Sequence, residues 1–225
     1  MKLLLTNDDG IDAPGLQSLQ QAVAGKGVVV APQTQQSRCG HQVTTTRPIQ
    51  VQQRSATSFS VDGTPADCVR LAVKHLCPDA DYVLSGINSG GNLGADIYVS
   101  GTLAAVREAA LQGLPGIAIS HYYRPGQAID WQRGARWTAE VLADLQHQTI
   151  QPGSFWNVNL PHLAPEAPDP DRVFCPLSRE PLPTAYRLDG EFFHYVGEYA
   201  KRDRAPGTDV DICLSGHIAI SLLKL

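Results

Sequence analysis

The chain has 225 residues, 43% hydrophobic and 18% charged, with a formal net charge of −4. That length suits one α/β domain with a real core, and the 18 scattered basic residues leave no electrostatic footprint for a nucleic acid polymer. No apolar run reaches membrane-spanning length, no signal-peptide pattern opens the chain, and five cysteines (Cys39, Cys68, Cys77, Cys175, Cys213) without a C-x-x-C pair argue against a zinc site or a disulfide framework, so a cytoplasmic protein with no membrane partner is expected.

The organising stretch is Lys2 to Gly10. Leu3, Leu4 and Leu5 are consecutive, as in a central strand of a parallel sheet covered on both faces. Asp8 and Asp9 then sit at its carboxyl end, the edge where open α/β sheets bind ligands. Asn7-Asp8-Asp9-Gly10 also reads more plainly as a turn, but two adjacent carboxylates at a buried strand's end stay ionised only if a cation or several donors offset them.

Leu16, Leu19, Ala22 and Val23 have helical spacing, Gly25 and Gly27 end that helix, and Val28 to Ala31 form a second apolar run closed by Pro32. This is a βαβ unit with a right-handed crossover. The polar loop Gln33 to His41 follows, placed beside Asp8 and Asp9 if the two strands are neighbours. Val43 to Gln53 suggests irregular or edge strands before Phe59 to Val61. Thr64, Pro65 and Asp67 open a helix expected to run to about Leu76, with Asp67 as a capping carboxylate.

Tyr82 to Ser85 is the next buried strand, and it opens into Ser85-Gly86-Ile87-Asn88-Ser89-Gly90-Gly91-Asn92-Leu93-Gly94-Ala95-Asp96, read as a loop. The glycines fit neither G-x-G-x-x-G nor a P-loop. Ser100, Gly101 and Thr102 form the first turn of a helix continuing from Leu103 to Gln112. Free amides at such a start bind phosphate, although Ser100 as a simple N-cap is the plainer alternative. Gly116 to Ser120 is a strand, Asp130 to Gln148 an amphipathic helix with Trp137, Val141, Leu142 and Leu145 on one face, and Phe155 to Leu160 another strand. Beyond it, Phe192 to Gly197 and Ile218 to Ser221 look like strands without intervening helices, an antiparallel arm whose aromatics suit a contact with another subunit and equally a packed satellite core.

Asp8, Asp9, the Ser37 hydroxyl and the Asn88 carboxamide are hard oxygen donors, which select Mg²⁺, Mn²⁺ or Ca²⁺ over zinc. A cation beside a phosphate cradle points to phosphoryl chemistry. Asp8, nearer the strand end, is expected to bind the metal and position the attacking water, and Asp9 to anchor the ion. An aspartyl-phosphate mechanism would want Asp-x-Asp, which is absent here.

The chain resembles the survival-protein SurE family, metal-dependent nucleotidases. The matches are Asn7-Asp8-Asp9-Gly10 with Ala13 and Gly15, the Ser37-to-His41 loop, Gly63-Thr64-Pro65-Ala66-Asp67-Cys68-Val69, Ser85-Gly86-Ile87-Asn88, Gly90 with Asn92-Leu93-Gly94, Ser100-Gly101-Thr102 with Glu108, and Pro206-Gly207-Thr208-Asp209. The resemblance implies an α/β fold with a Rossmann-like three-layer core, a mostly parallel sheet, and a C-terminal arm at about 178–212 exchanged between subunits of a homodimer or homotetramer. It implies one divalent cation per subunit, Mg²⁺ or Mn²⁺, on Asp8, Asp9, Ser37 and Asn88, and phosphate at Asn92, Ser100, Gly101 and Thr102. The implied substrates are 5′- and 3′-nucleoside monophosphates and short polyphosphate. A nucleotide-binding regulator without catalysis is the alternative. Two departures stand out: Arg38-Cys39 follows Ser37 where smaller residues are usual, which either alters the entrance or adds a cation near the substrate, and the chain ends at Leu225 where relatives usually continue.

Overall fold

Leu4 and Leu5 are both buried because their side chains feed two different cores. The computed structural model describes residues 1–124, 126–146 and 148–225. In it β1 (Leu3–Thr6) runs parallel to β2 (Val28–Pro32), with α1 (Pro14–Ala22) between them in sequence. Leu5 packs with Leu16 and Leu19 of α1 on one face of the sheet, while Leu4 joins Cys68, Val69, Ala105 and Ala109 on the other. Consecutive rather than alternating leucines are what a strand covered on both faces requires. Each such side chain contributes about 1.5–3 kcal/mol of burial.

The edge hairpin β3 (Val51–Ser55) and β4 (Ser58–Val61) follows, then α2 (Pro65–Leu71). Thr64 and Asp67 close a capping box at the start of α2, as their spacing predicts. Regular α-geometry stops at Leu71, and a single π-type turn carries the chain through Leu76. β5 (Tyr82–Ser89) is longer than its apolar run predicts. It continues past an irregularity between Ser85 and Asn88, so Asn88 is held in a strand rather than a loop. Gly86 permits this: a Cβ there would meet the Ile119 carbonyl oxygen at 2.2 Å, and its φ is +136°.

α3 (Gly101–Leu111), β6 (Gly116–His121), α4 (Trp131–Leu145) and β7 (Ser154–Leu160) complete the regular α/β part. His147, inside the stretch predicted as helix, lies outside the described residues. α1 packs on α4 over one face and α2 on α3 over the other, giving three layers. The remainder is β8 (Arg172–Phe174), the antiparallel hairpin β9 (Tyr186–Asp189) and β10 (Phe192–Tyr195), α5 (Asp209–Leu214) and β11 (Ile218–Lys224). The last two strands predicted to follow one another without a helix are separated by α5, six residues whose Val210 and Cys213 are buried. The nine-stranded sheet has the order β3-β4-β2-β1-β5-β6-β7-β11-β8 and is parallel except where β3 pairs with β4 and β11 with β7.

Candidate active site

β1 sits where the strand order reverses. The chain leaves it toward β2 and β4, and returns later to β5 on its other side. In open α/β sheets that switch point opens a crevice outside the carboxyl ends of the strands. Asp8 and Asp9 are in it, two and three residues beyond the end of β1 at Thr6. Asn7 Nδ2 donates to the Gly10 carbonyl at 2.7 Å and fixes the turn, and the Gln36 amide donates to the Asp8 carbonyl at 2.7 Å. The polar loop after β2 is therefore beside the carboxylates, as neighbouring strands require.

Asp8 is only 5% exposed and accepts a hydrogen bond at Oδ1 from Thr102 Oγ1 at 2.7 Å. Burial pushes its carboxyl up to about 7; the Thr102 bond works against this, and the charge of Asp9 adds to it. Asp9 is half-buried, accepting from the Ser89 amide at 3.0 Å and from Gln35 Nε2 at 3.2 Å, and burial still raises it above the ordinary carboxylate range. Two neighbouring carboxyls raised together mark charge that local donors leave uncompensated.

Asn88 donates Nδ2 to the Gly90 carbonyl at 2.7 Å, which leaves its Oδ1 without a donor among the described residues. Ser37 is exposed on the same polar loop, and the structure brings its hydroxyl into no hydrogen bond with Asp8, Asp9 or Asn88. No group of three or more His, Cys, Asp or Glu is placed to hold a metal ion among the described residues. The donor set fits a hard divalent ion: two carboxylates short of positive charge and a free carboxamide oxygen, with no thiolate or imidazole in the ligand-like group.

The first turn of α3 closes the other side. Ser100 caps it, its Oγ accepting from the Leu103 amide at 3.1 Å, so the N-cap role holds. The amides of Gly101 and Thr102 have no acceptor among the described residues, and they sit at the positive end of an eleven-residue helix. A Cβ on Gly101 would lie 2.8 Å from Asp8 Cβ, and 3.1 Å from both Asp8 Oδ2 and Cys39 Sγ. Glycine at 101 thus lets helix start, carboxylate and polar loop converge on one small volume.

Asn92 is turned inward. Its Nδ2 donates to Ser120 Oγ at 2.7 Å and to Thr102 Oγ1 at 3.3 Å. Its backbone is gripped from β7: Asn159 Oδ1 accepts from the Asn92 amide at 2.7 Å, and Asn157 and Asn159 both donate to its carbonyl. With these bonds in place, Asn92 is linked to Asp8 through Thr102, in the chain Asn92 to Thr102 to Asp8.

Ser120, Asn157, Asn159 and Gln35 are absent from the sequence-based set. The one available signal was Asn157 and Asn159 alternating within an otherwise apolar strand, polar side chains on the inside of a strand buried throughout. His41, at the end of the polar loop, meets Glu108 of α3 at 2.9 Å, and that fully buried carboxylate also accepts from Arg70 and Gln112 at 2.9 Å each. The loop after Asn92 is fastened too. Asp209 accepts from the Gly94 and Ser178 amides at 2.7 Å, while Arg202 donates to Asp96 at 2.9 Å and to the Leu93 carbonyl at 3.1 Å.

Comparison with known proteins gives a consistent result. The family model described as Survival protein SurE matches residues 3–180. A protein of Nostoc sp. (strain PCC 7120), provisionally named a 5′-nucleotidase, is 58% identical over 226 residues, with both chains covered in full. The 5′-nucleotidase SurE of Paramagnetospirillum magneticum is 35% identical over 232 residues, covering 99% of this chain and 89% of that one. The crystal structure of the SurE protein from Aquifex aeolicus superposes with a TM-score of 0.88 at 31% identity, covering 100% of this chain and 93% of the other.

Proposed function

The chain belongs to the survival protein SurE family, and from that membership and the site's geometry we propose that it is a divalent-metal-dependent 5′-nucleotidase, a hydrolase of nucleoside monophosphates. The observation that carries the proposal is the 2.7 Å bond from Thr102 to Asp8, which ties a helix start with free amides to a pair of under-compensated carboxylates. A phosphate held at the first turn of α3 lies within reach of both.

One Mg²⁺ or Mn²⁺ per subunit, held by Asp8, Asp9, Asn88 and Ser37, would supply positive charge to the phosphoryl oxygens when bound. For Ser37 this requires its exposed loop to turn the hydroxyl inward. The chain's own residues do the rest. The Gly101 and Thr102 amides hold non-bridging oxygens of the phosphate. Thr102 fixes Asp8 Oδ1, which leaves Oδ2 to orient a water and accept its proton as the new P–O bond forms; the bond to the ribose oxygen breaks, and that proton passes on to the departing ribose oxygen to give the free hydroxyl. Asp9, pinned by Ser89 and Gln35, anchors negative charge beside it. Asn92 keeps Thr102 in place.

Because these contacts address a phosphoryl group and not a base, 3′-nucleotides and short polyphosphate fall within the same proposal. So do a cytoplasmic location and assembly with a second copy through the β9–β10 hairpin, whose Tyr186, Leu188, Phe192, Phe193 and Tyr195 are all exposed on a sheet of their own. The deciding experiment is phosphate release from AMP with Mg²⁺ and with Mn²⁺. Steady turnover supports the enzyme. Stoichiometric binding without release would make the protein a nucleotide-binding regulator.

A further inference from the structure

We propose that Arg38 is a substrate-binding residue that grips the phosphoryl group from the open side of the cradle. The proposal rests on the phosphatase reading above. Arg38 is held between two anchored neighbours: Gln36 is bonded through its amide to the Asp8 carbonyl at 2.7 Å, and Gly40 through its amide to the Val99 carbonyl at 3.1 Å. Cys39, next in the chain, puts its Sγ against the spot above Gly101 that Asp8 Oδ2 also faces. The backbone of Arg38 is therefore fixed at the rim of the site, tied to the carboxylate side by one neighbour and to the helix-start side by the other.

Three observations then bear on the side chain. First, Arg38 is exposed and has no hydrogen bond or ion pair among the described residues, whereas Arg70 is engaged by Glu108 and Arg202 by Asp96. Second, its φ is +59°, a left-handed conformation that costs an L side chain strain and that glycine would adopt freely. A strained, unpartnered arginine at a ligand cleft is where such strain is ordinarily kept for function. Third, the charge balance is short. Asp8, Asp9 and a phosphate dianion carry about four negative charges, a divalent ion returns two, and a helix start returns about half of one. Arg38 is placed to supply the missing cation, and its planar fork matches two phosphate oxygens.

The test compares Arg38→Gln, Arg38→Lys and Arg38→Gly with the parent. It uses inorganic phosphate binding by calorimetry in saturating Mn²⁺, the KM for AMP, and Mn²⁺ affinity by direct titration. Arg38→Gln should weaken phosphate binding and raise the KM about tenfold or more, the loss typical of one charge-assisted pair, while Mn²⁺ affinity stays within about twofold. Arg38→Lys should restore part of the loss. Arg38→Gly should share the binding defect yet melt at or above the parental temperature, because it releases the backbone strain. Parental phosphate affinity in Arg38→Gln would overturn the assignment and leave the phosphatase intact. A parent that neither binds phosphate nor releases it from AMP would overturn both.

Discussion

Thr102 donates to Asp8 and accepts from Asn92, so the first turn of α3 and the carboxyl end of β1 are joined through one hydroxyl. That junction makes the site's two halves separable by experiment.

Asp8→Asn keeps the shape and removes the charge. Turnover should fall by at least about 10²–10³, since general-base assistance alone is typically worth 10²–10⁴. AMP binding at saturating Mn²⁺ should persist, because the Gly101 and Thr102 amides are untouched. Turnover and equilibrium binding measured side by side decide this, and near-parental turnover would remove Asp8 from the mechanism.

Chelation should abolish activity, and added Mg²⁺ or Mn²⁺ should restore it. Asn88→Ala removes the free Oδ1 at the end of β5 and should weaken metal affinity at least about tenfold, a loss on the scale seen for weakened metal sites. Phosphate release with and without chelator reads the first and metal titration followed by intrinsic fluorescence the second, and an unchanged midpoint would exclude Asn88 as a ligand.

The metal-free protein should carry a pH signature. Asp8 is held at about 7 when folded against 3.8 when unfolded, so its contribution is full below about pH 4 and is lost as pH rises toward 7. The loss reaches about 4 kcal/mol at most. In EDTA, Asp8→Asn should therefore be more stable than the parent at pH 8, with the gap closing as pH falls to 5. His121, held down to about 4 by burial, works oppositely: its contribution is full above 6.5 and is lost as pH falls. It is common to both proteins and cancels in the comparison. Urea unfolding across this range measures the gap, and a pH-independent difference would contradict the assignment.

Gly101→Ala places a methyl 2.8 Å from Asp8 Cβ. Asp8 must shift, and a displacement near 1 Å at a reacting group costs roughly 10²-fold in rate. Overpacking should also cost about 1–3 kcal/mol of stability. Kinetics and thermal melting of the same preparation check both, and a fully active variant would show that the close approach is dispensable.

Replacing residues 186–195 with a short Gly-Ser turn removes the exposed aromatic hairpin while sparing Arg202 and Asp209. The parent should sediment as a dimer or larger at micromolar concentration and the variant as a monomer. A monomeric parent would refute the hairpin's role in assembly.

Much of this architecture was legible in the sequence because it is written locally. The runs Leu3–Leu5 and Val28–Ala31, the Thr64–Asp67 capping box and the Ser100 cap each depend on a few adjacent residues. The placement of Asp8, Asp9 and Thr102 was legible for the same reason, since each belongs to a strand end or a helix start. What escaped lies across long separations: Asn92 meets Asn157 and Asn159 more than sixty residues away, and Glu108 meets His41 across 67. No propensity or periodicity carries such pairings. Asn88 was misplaced into a loop because Gly86 and Gly90 resemble punctuation, yet Gly86 lets the strand continue past a close carbonyl. α5 was missed because six residues present less than two helical turns of pattern.

β11 lies between β7 and β8, and β8 has no other neighbour in the sheet. On the ribosome, β1, β2, β5, β6 and β7 emerge in an order that lets each dock on a strand already present. β8 cannot dock, because the strand that receives it begins only at Ile218. The segment between them holds the hairpin β9–β10, which pairs only with itself, and the Asp209 carboxylate that fastens Gly94. The nascent chain thus assembles the carboxylate end of the crevice early and the wall after Asn92 last, with a stretch of unpaired backbone exposed to chaperones and proteases until its final strand is made.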